Sequence, residues 1–169
     1  MNNFFTQMRT KQEYDEWASI LGWLFDDNRF SKEKGWEKGR VTKFTKQAKR
    51  QLGFSDNNFI KVPVKDEKLK SDMPKDSKIV VMVSSESLGR DFVRHIRNGI
   101  AHGHVDFFKH HSELWLEITD NNKQQQPTAR IIMPVEYIVK LHKIYNEIAN
   151  ADANDRSKKR SRKNNKKAA

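Results

Sequence analysis

Residues 88–104 read LGRDFVRHIRNGIAHGH, and the rest of the chain can be interpreted outward from them. The large apolar residues of this stretch recur at every fourth position: Leu88, Phe92, Ile96 and Ile100. That spacing is typical of an amphipathic α-helix, and Gly103 marks its end. The same stretch contains three of the chain's six histidines. We therefore predict a core-packed helix that carries polar, reactive side chains at its C-terminal end.

Further helices are predicted on both sides of this stretch. Residues 4–25 and 40–52 have apolar side chains at helical spacing, and Gly53 follows the second of these segments as a stop. A final helix is predicted to start at Pro134, because proline has no N–H to lose at the first helical position.

Strands are predicted where the hydrophobic period changes to two. They cover residues 105–109, 113–119 and 129–133. Residues 59–64 alternate like a strand that Pro63 would confine to an edge. Residues 79–83 are either a buried strand or the first turns of a helix. The expected fold class is mainly α, a helical bundle with a small β-hairpin between its last two long helices.

The positive charge is concentrated at the C-terminus. The net charge of the chain is +11, and residues 156–169 hold 8 of its 33 basic residues and no acidic ones. The remaining 25 basic and 22 acidic residues nearly balance in residues 1–155. A block of like charges cannot bury a core, so we expect a helical domain over residues 1–150 and a disordered basic tail over 151–169.

Other classes of protein are excluded by composition. Cysteine is absent, which excludes a disulfide framework, a thiolate zinc site and a cysteine nucleophile. The longest apolar run, residues 79–83, is far shorter than the ~20 residues that cross a bilayer. No apolar signal-peptide core follows Met1. We therefore expect a soluble, cytoplasmic protein that does not enter a membrane.

The polar residues at the end of the helix are suited to phosphate chemistry. Histidine has an ordinary pKa of about 6.5, so it gives and takes protons near neutral pH. Arginine can place two hydrogen bonds on one phosphate. Cleavage of RNA by its own 2′-hydroxyl needs these two groups: the histidine moves the proton, and the arginine neutralises charge on the pentacoordinate phosphorus. This reaction requires no metal, and no cofactor is predicted.

The helical geometry constrains how these residues meet. Arg97 and His102 are five residues apart, which leaves them about 140° apart around a regular helix. They share a face only if the helix unwinds near its glycines. Asn98 and His102 do share a face, where Asn98 would orient the imidazole through a hydrogen bond. The wide angle also suits a site assembled between two subunits across a two-fold axis.

The string RNGIAHG at residues 97–103 resembles the R-x4-6-H motif of the HEPN superfamily, in which a polar residue follows the arginine. The order of the elements after it (hairpin, polar turn, proline, final helix) is similar to that of short HEPN proteins. The resemblance covers roughly residues 86–150 well and the first helices only by general shape. It makes the expected fold a HEPN-like helical bundle.

The resemblance implies an activity and a set of site residues. HEPN domains are small, helical and commonly dimeric. Many are metal-independent endoribonucleases of toxin–antitoxin, abortive-infection and other antiviral defence systems. Arg97 and His102 would be the catalytic pair and Asn98 the supporting polar residue of the catalytic site. The expected partners are RNA, a second copy of the chain, and an antitoxin or other regulatory protein. His95 and His104 lie outside the motif.

The tail is expected to add affinity for RNA without selecting a sequence, through phosphate contacts and counterion release. The predicted RNA-binding residues there are Lys158, Lys159, Arg160, Arg162 and Lys163. Trp36 is the one tryptophan considered for base stacking, since it lies between two lysines in a predicted loop.

Several alternatives compete with the ribonuclease interpretation. A HEPN domain can be a non-catalytic module that binds nucleic acid or protein. His102 could simply cap the helix, and Arg97 could form a surface salt bridge. A metal site is also conceivable from four histidines, although no carboxylate or thiol pattern supports it: His102, His104, His110 and His111.

Overall fold

The structure, a computed structural model, describes residues 11–25, 38–70, 77–84 and 87–167, and only the backbone of residues 11–14, 16, 38–40 and 152–167. The elements in chain order are α1 (Lys11–Phe25), α2 (Lys38–Leu52), β1 (Phe59–Val62), a 3₁₀ turn (Glu67–Leu69), β2 (Ile79–Val83), α3 (Leu88–Ala101), β3 (Val105–His110), β4 (Glu113–Asn121), β5 (Pro127–Pro134) and α4 (Glu136–Lys167).

The five strands form a single mixed sheet in the order β1-β2-β5-β4-β3. β1 and β2 run parallel, with Phe59 opposite Val80, and the other neighbouring strands are antiparallel. The expectation of a mainly helical bundle with a small hairpin is therefore wrong. The described chain has an α/β fold in which helices pack on an extended sheet.

The error has an identifiable cause in β2. All of Ile79–Val83 is apolar, and both faces of the strand are buried, so it lacks the alternation that marks a half-exposed strand. β2 joins the predicted hairpin strands to β1 through pairings between residues far apart in the chain. Such pairings leave no periodic trace in the sequence. β1 does occupy the sheet edge that Pro63 favours, although it ends at Val62.

The sheet has one apolar core on each face. The helices cover the face to which Met82, Leu116 and Ile131 point, together with Ile20, Phe44 and Ile144 from three helices. The opposite face carries a smaller cluster in which Leu69 of the 3₁₀ turn packs near Val81 and Trp115. Alternate residues of β2 therefore contribute to different cores, as the two-residue period of a strand requires.

Two glycines allow α3 to lie unusually close to its neighbours. A Cβ at Gly99 would be 2.2 Å from the Ile118 Cγ2 atom of β4. A Cβ at Gly89 would be 2.2 Å from the Thr45 hydroxyl of α2. Because side chains cannot occupy these positions, α3 is fitted against the sheet at one end and against α2 at the other.

Most predicted elements are confirmed with small shifts at their ends. The helix expected over residues 4–25 is described from Lys11, and residues 4–10 lie outside the described part of the chain. The helix expected over 40–52 begins two residues earlier, at Lys38. Pro134 ends β5 rather than beginning the last helix, which starts at Glu136.

The last helix extends further than composition predicts. α4 is helical as far as Lys167, so residues 151–167 have a helical backbone instead of the expected disorder. Lysine, arginine and alanine are good helix formers. They also follow a helix that is already nucleated and packed up to Ile148, so each added residue needs only propagation. None of the described helices is long and apolar enough to cross a membrane.

Candidate active site

The C-terminal end of α3 is closed by a Schellman motif. The amide of His104 donates to the Gly99 carbonyl at 2.9 Å, and the amide of Gly103 donates to the Ile100 carbonyl at 3.2 Å. Gly103 has a φ of +71°, which glycine adopts without steric cost. His102 is the C-cap residue, and its own amide donates to the Asn98 carbonyl at 2.9 Å.

This turn exposes two histidines side by side. His102 and His104 are both exposed, and their ring centroids are 6.1 Å apart. His104 is also tied to the sheet, since its carbonyl accepts a hydrogen bond from the amide of Thr119 at 3.0 Å. The backbone therefore fixes the positions of the two Cα atoms, while both imidazole rings are exposed to solvent.

Arg97 and Asn98 form the polar group one turn earlier. Both side chains are half-buried, and the Arg97 guanidinium donates to the Asn98 Oδ1 atom at 3.5 Å. The Asn98 amide in turn donates to the Asp120 carboxylate at 3.3 Å. Both ends of the Asn98 side chain are thus used in holding Arg97 and Asp120. The structure does not contain the expected side-chain hydrogen bond from Asn98 to His102.

A buried histidine and a buried carboxylate lie beneath this group. His95 and Asp120 are 2% and 3% exposed. The His95 Nδ1 atom is 2.7 Å from the Asp120 Oδ2 atom, and its Nε2 atom is 2.9 Å from the Val83 carbonyl oxygen. His95 therefore links α3 to the ends of both β2 and β4.

The angle between Arg97 and His102 is that of a regular helix. α3 is α-helical without interruption from Leu88 to Ala101, so it does not unwind before His102. The separation of about 140° around the helix axis accordingly remains. Arg97 is braced toward β4 through Asn98, whereas His102 is exposed at the end of the helix.

A family model, HEPN pEK499 p136, matches residues 5–156. The chain belongs to this HEPN family. A search of curated proteins and a search of solved structures gave no match. HEPN domains are often ribonucleases, so membership favours a function that involves nucleic acid.

The α/β architecture corrects what the HEPN resemblance implied about fold. The helical part expected of a HEPN domain is present in α1 to α4, but its hairpin belongs to a five-stranded sheet. The motif RNGIAHG of this HEPN domain lies where predicted, across the last turn of α3 and the following turn.

A metal site from the four histidines has no support among the described residues of this HEPN domain. His110 and His111 are in edge-to-face contact with ring centroids 4.1 Å apart, and His110 also packs edge-to-face against Trp115. They lie at the far end of β3 from His102 and His104. Nowhere in the described chain do three histidine, aspartate or glutamate side chains gather as ligands.

Some predicted contacts of the HEPN domain fall outside the structural description. Trp36 is outside the described residues. The backbone of the basic segment is helical, but the side chains of its predicted RNA-binding residues are not described: Lys158, Lys159, Arg160, Arg162 and Lys163.

Sequence reasoning missed Asp120 and gave His95 no role. The polarity of residues 120–122 predicts the start of a loop at Asp120, yet this residue lies within β4. A signal was available: Asp120 is in phase with Leu116 and Ile118, so alternation places its carboxylate on the core side of the strand. A carboxylate in that position needs a polar partner, and His95 and Asn98 provide it.

Proposed function

We propose that the protein is a metal-independent endoribonuclease of HEPN type, acting in a toxin or defence role in the cytoplasm. The observation that carries the proposal is that one motif at the end of α3 contains both an arginine held by a hydrogen bond, Arg97, and an exposed histidine, His102. Asn98 completes the catalytic site by holding the arginine. The substrate is RNA, because only a ribose 2′-hydroxyl supplies the internal nucleophile that these groups can use.

The reaction needs one proton removed and one returned. A histidine takes the proton of the 2′-hydroxyl, and the 2′-oxygen then attacks the adjacent phosphorus. The bond from phosphorus to the 5′-oxygen breaks, and that oxygen receives a proton from an imidazolium. The Arg97 guanidinium stabilises the charge on the phosphoryl oxygens in the transition state. The products are a 2′,3′-cyclic phosphate and a 5′-hydroxyl.

The active form is a homodimer. Within one chain the regular α3 helix separates Arg97 and His102 by about 140°, so one phosphate cannot easily contact both. A two-fold axis near the ends of two α3 helices would bring Arg97 of one protomer toward His102 of its partner. An antitoxin or other regulatory protein would then act by covering this shared cleft.

The test is cleavage of total RNA in EDTA, with analysis of the product ends. We expect fragments with 2′,3′-cyclic phosphate and 5′-hydroxyl ends. A His102→Ala preparation, purified in parallel, controls for contaminating nuclease. We expect these RNA fragments to be absent from the reaction with the variant. If the wild-type protein binds RNA tightly but several RNAs stay intact, the protein is a binding module and the nuclease proposal is wrong.

Removal of residues 156–169 should separate affinity from chemistry. The deletion takes away 8 basic residues, and binding depends less steeply on salt when the protein neutralises fewer phosphates. We expect a higher KM for RNA and a shallower slope of log KM against log salt, with kcat within about twofold of wild type. Cleavage across a range of RNA concentrations, compared at about 50 and 200 mM salt, measures both constants. A large fall in kcat would place the basic segment in the reaction itself.

A further inference from the structure

We propose that Asp120 and His95 are positioning residues that set the orientation of Asn98 and, through it, of Arg97. The inference rests on the proposed function for its consequence in catalysis, but its structural content can be tested without any cleavage. The hydrogen-bonded chain runs from the Val83 carbonyl through His95, Asp120 and Asn98 to the Arg97 guanidinium.

The buried pair at the start of this chain holds one shared proton. The Nε2 atom of His95 faces a carbonyl oxygen, so it must carry hydrogen and donate. The Nδ1 atom faces a carboxylate oxygen at 2.7 Å. A proton must lie between them, whether it is assigned to the imidazole or to the carboxyl group. With that proton in place, the Asp120 Oδ2 atom remains an acceptor for a third group.

That third group is the amide of Asn98, and this fixes which way the amide points. Because Asp120 Oδ2 can only accept from Asn98, the Asn98 nitrogen must face it, at 3.3 Å. The Asn98 oxygen is then directed to the other side, where it accepts from Arg97. A reversed amide would place a donor against the guanidinium. The acceptor offered to Arg97 thus depends on a carboxylate that lies 22 positions away in the sequence.

Asp120 is held in place by an irregularity of the sheet. Asp120 pairs with Ala129 and Asn121 with Pro127, so Thr128 is an extra residue opposite them. The Thr128 hydroxyl donates to the Asp120 carbonyl at 3.0 Å. β-Bulges of this kind commonly redirect a side chain beside an active site. Gly99 adds to the effect, since it lets α3 approach β4 closely enough for Asn98 and His95 to reach the carboxylate.

The arrangement is a poor choice for stability alone. The second oxygen of Asp120 is buried, and no described residue hydrogen-bonds to it. Burying an unsatisfied carboxylate oxygen costs free energy that an apolar pair of similar volume would not. A buried polar group with such a cost calls for an explanation other than packing. Asp120 is hydrogen-bonded to Asn98, and Asn98 to Arg97, so the explanation that these contacts support is orientation of Arg97.

Replacement of Asp120 by asparagine should reverse the Asn98 amide. In Asp120→Asn the new amide nitrogen can donate to the His95 Nδ1 atom while His95 Nε2 still donates to the Val83 carbonyl. Asn98 then meets a donor instead of an acceptor and must flip. We expect kcat to fall roughly 10- to 100-fold in Asp120→Asn, with a smaller change in KM. The NMR signals of the Arg97 guanidinium can be assigned by their absence from the spectrum of Arg97→Lys. In Asp120→Asn they should broaden or merge, because the guanidinium loses the Asn98 oxygen as an acceptor.

The matched control is Asp91→Asn. Asp91 is 2% exposed, lies on the same helix, and is hydrogen-bonded to Ser84 and paired with Arg94. The same change of a buried carboxylate to an amide should there affect stability but leave the Arg97 signals and kcat near wild type.

The double variant Asn98→Asp with Asp120→Asn tests the chain by exchanging donor and acceptor. The amide at position 120 can donate to both His95 and the new carboxylate, which then offers its other oxygen to Arg97. We expect the double variant to recover ordered Arg97 signals and most of the lost rate. Because aspartate and asparagine have nearly the same shape, recovery in the double variant would report matched donors and acceptors rather than packing.

Each outcome bears on one of the two proposals. If the wild type cleaves no RNA, the proposed function fails, and the NMR comparison still decides the positioning. If folded Asp120→Asn keeps wild-type Arg97 signals, the inference is overturned. Should Asp120→Asn not fold, Asn98→Ala removes the link at a half-buried position. Unchanged Arg97 order in that variant overturns the inference equally.

Discussion

We expect Arg97→Ala and His102→Ala each to lose RNA cleavage by at least about a hundredfold, and an equal mixture of the two to regain about a quarter of the wild-type rate. Loss of His102 removes the group that moves the proton. Loss of Arg97 removes the charge opposite the phosphoryl oxygens. Water at neutral pH replaces neither function at a comparable rate.

The recovery follows from a site shared between protomers. In a mixed dimer, the chain that lacks His102 still contributes Arg97, and its partner still contributes His102. One of the two shared sites is then intact. Random exchange makes half of the dimers mixed, so about a quarter of the sites act. Sites contained within single chains would all lack one group and would give no recovery.

The experiment mixes differently tagged variants, confirms exchange by native mass spectrometry, and measures cleavage in EDTA. Arg97→Ala mixed with an Arg97→Ala/His102→Ala double variant is the control, because no pairing of those chains restores both groups. Complete exchange without recovery would rule out the shared site, while leaving the separate losses in the parent variants to report on the chemistry.

The largest effect on stability is expected for Gly99→Ala, which should lower the free energy of unfolding by roughly 2–3 kcal/mol. The new Cβ would be 2.2 Å from Ile118 Cγ2 and 3.2 Å from the Thr119 carbonyl oxygen. Ile118 is fully buried and cannot move aside. α3 must therefore shift away from β4, and the packing on both sides of it loosens.

Gly22→Ala is the natural comparison for this substitution. Gly22 lies in α1, and a Cβ there would meet nothing within 4 Å. Alanine should stabilise the protein by roughly 0.4–1 kcal/mol, because it restricts the unfolded chain and favours helix. Urea unfolding followed by circular dichroism measures both effects. Wild-type stability in Gly99→Ala would contradict the close approach of α3 and β4. Adding Ile118→Ala should make the effect of Gly99→Ala smaller.

The elements of this fold could be predicted where spacing within a short segment determines them. The four-residue spacing that begins with Leu88 and Phe92 predicts α3, and the alternation of apolar residues after Gly103 predicts β3 and β4. The association of strands could not be predicted in the same way. Ile79–Val83 is buried on both faces, and its partners in β1 and β5 are distant in sequence. Only tertiary contacts distinguish such a strand from a helical turn.

The candidate site divides along the same line. Arg97, Asn98 and His102 lie within six residues of one another, so one motif contains them all. Asp120 belongs to another strand, and its relation to Asn98 depends on how α3 lies on the sheet. The predicted link between Asn98 and His102 treated the helix as isolated. Packing against β4 gave the Asn98 amide the Oδ2 atom of Asp120 as its acceptor instead.

The long final helix changes what kind of attachment carries the basic residues. Ile148 is the last buried residue of α4 among the side chains that the structure describes. Measured from it at 1.5 Å per residue, the segment from Lys158 to Lys163 begins about 15 Å and ends about 22 Å further along the helix axis. A flexible tether of that length would sample every distance up to its reach. A continuous helix instead holds the basic residues at one distance from the folded domain and in one direction around the helix axis. Inserting one residue into the helix before Lys158 would rotate the basic residues by about 100° around the helix axis. Inserting seven residues would return them nearly to their original direction and move them about 10 Å further from the domain.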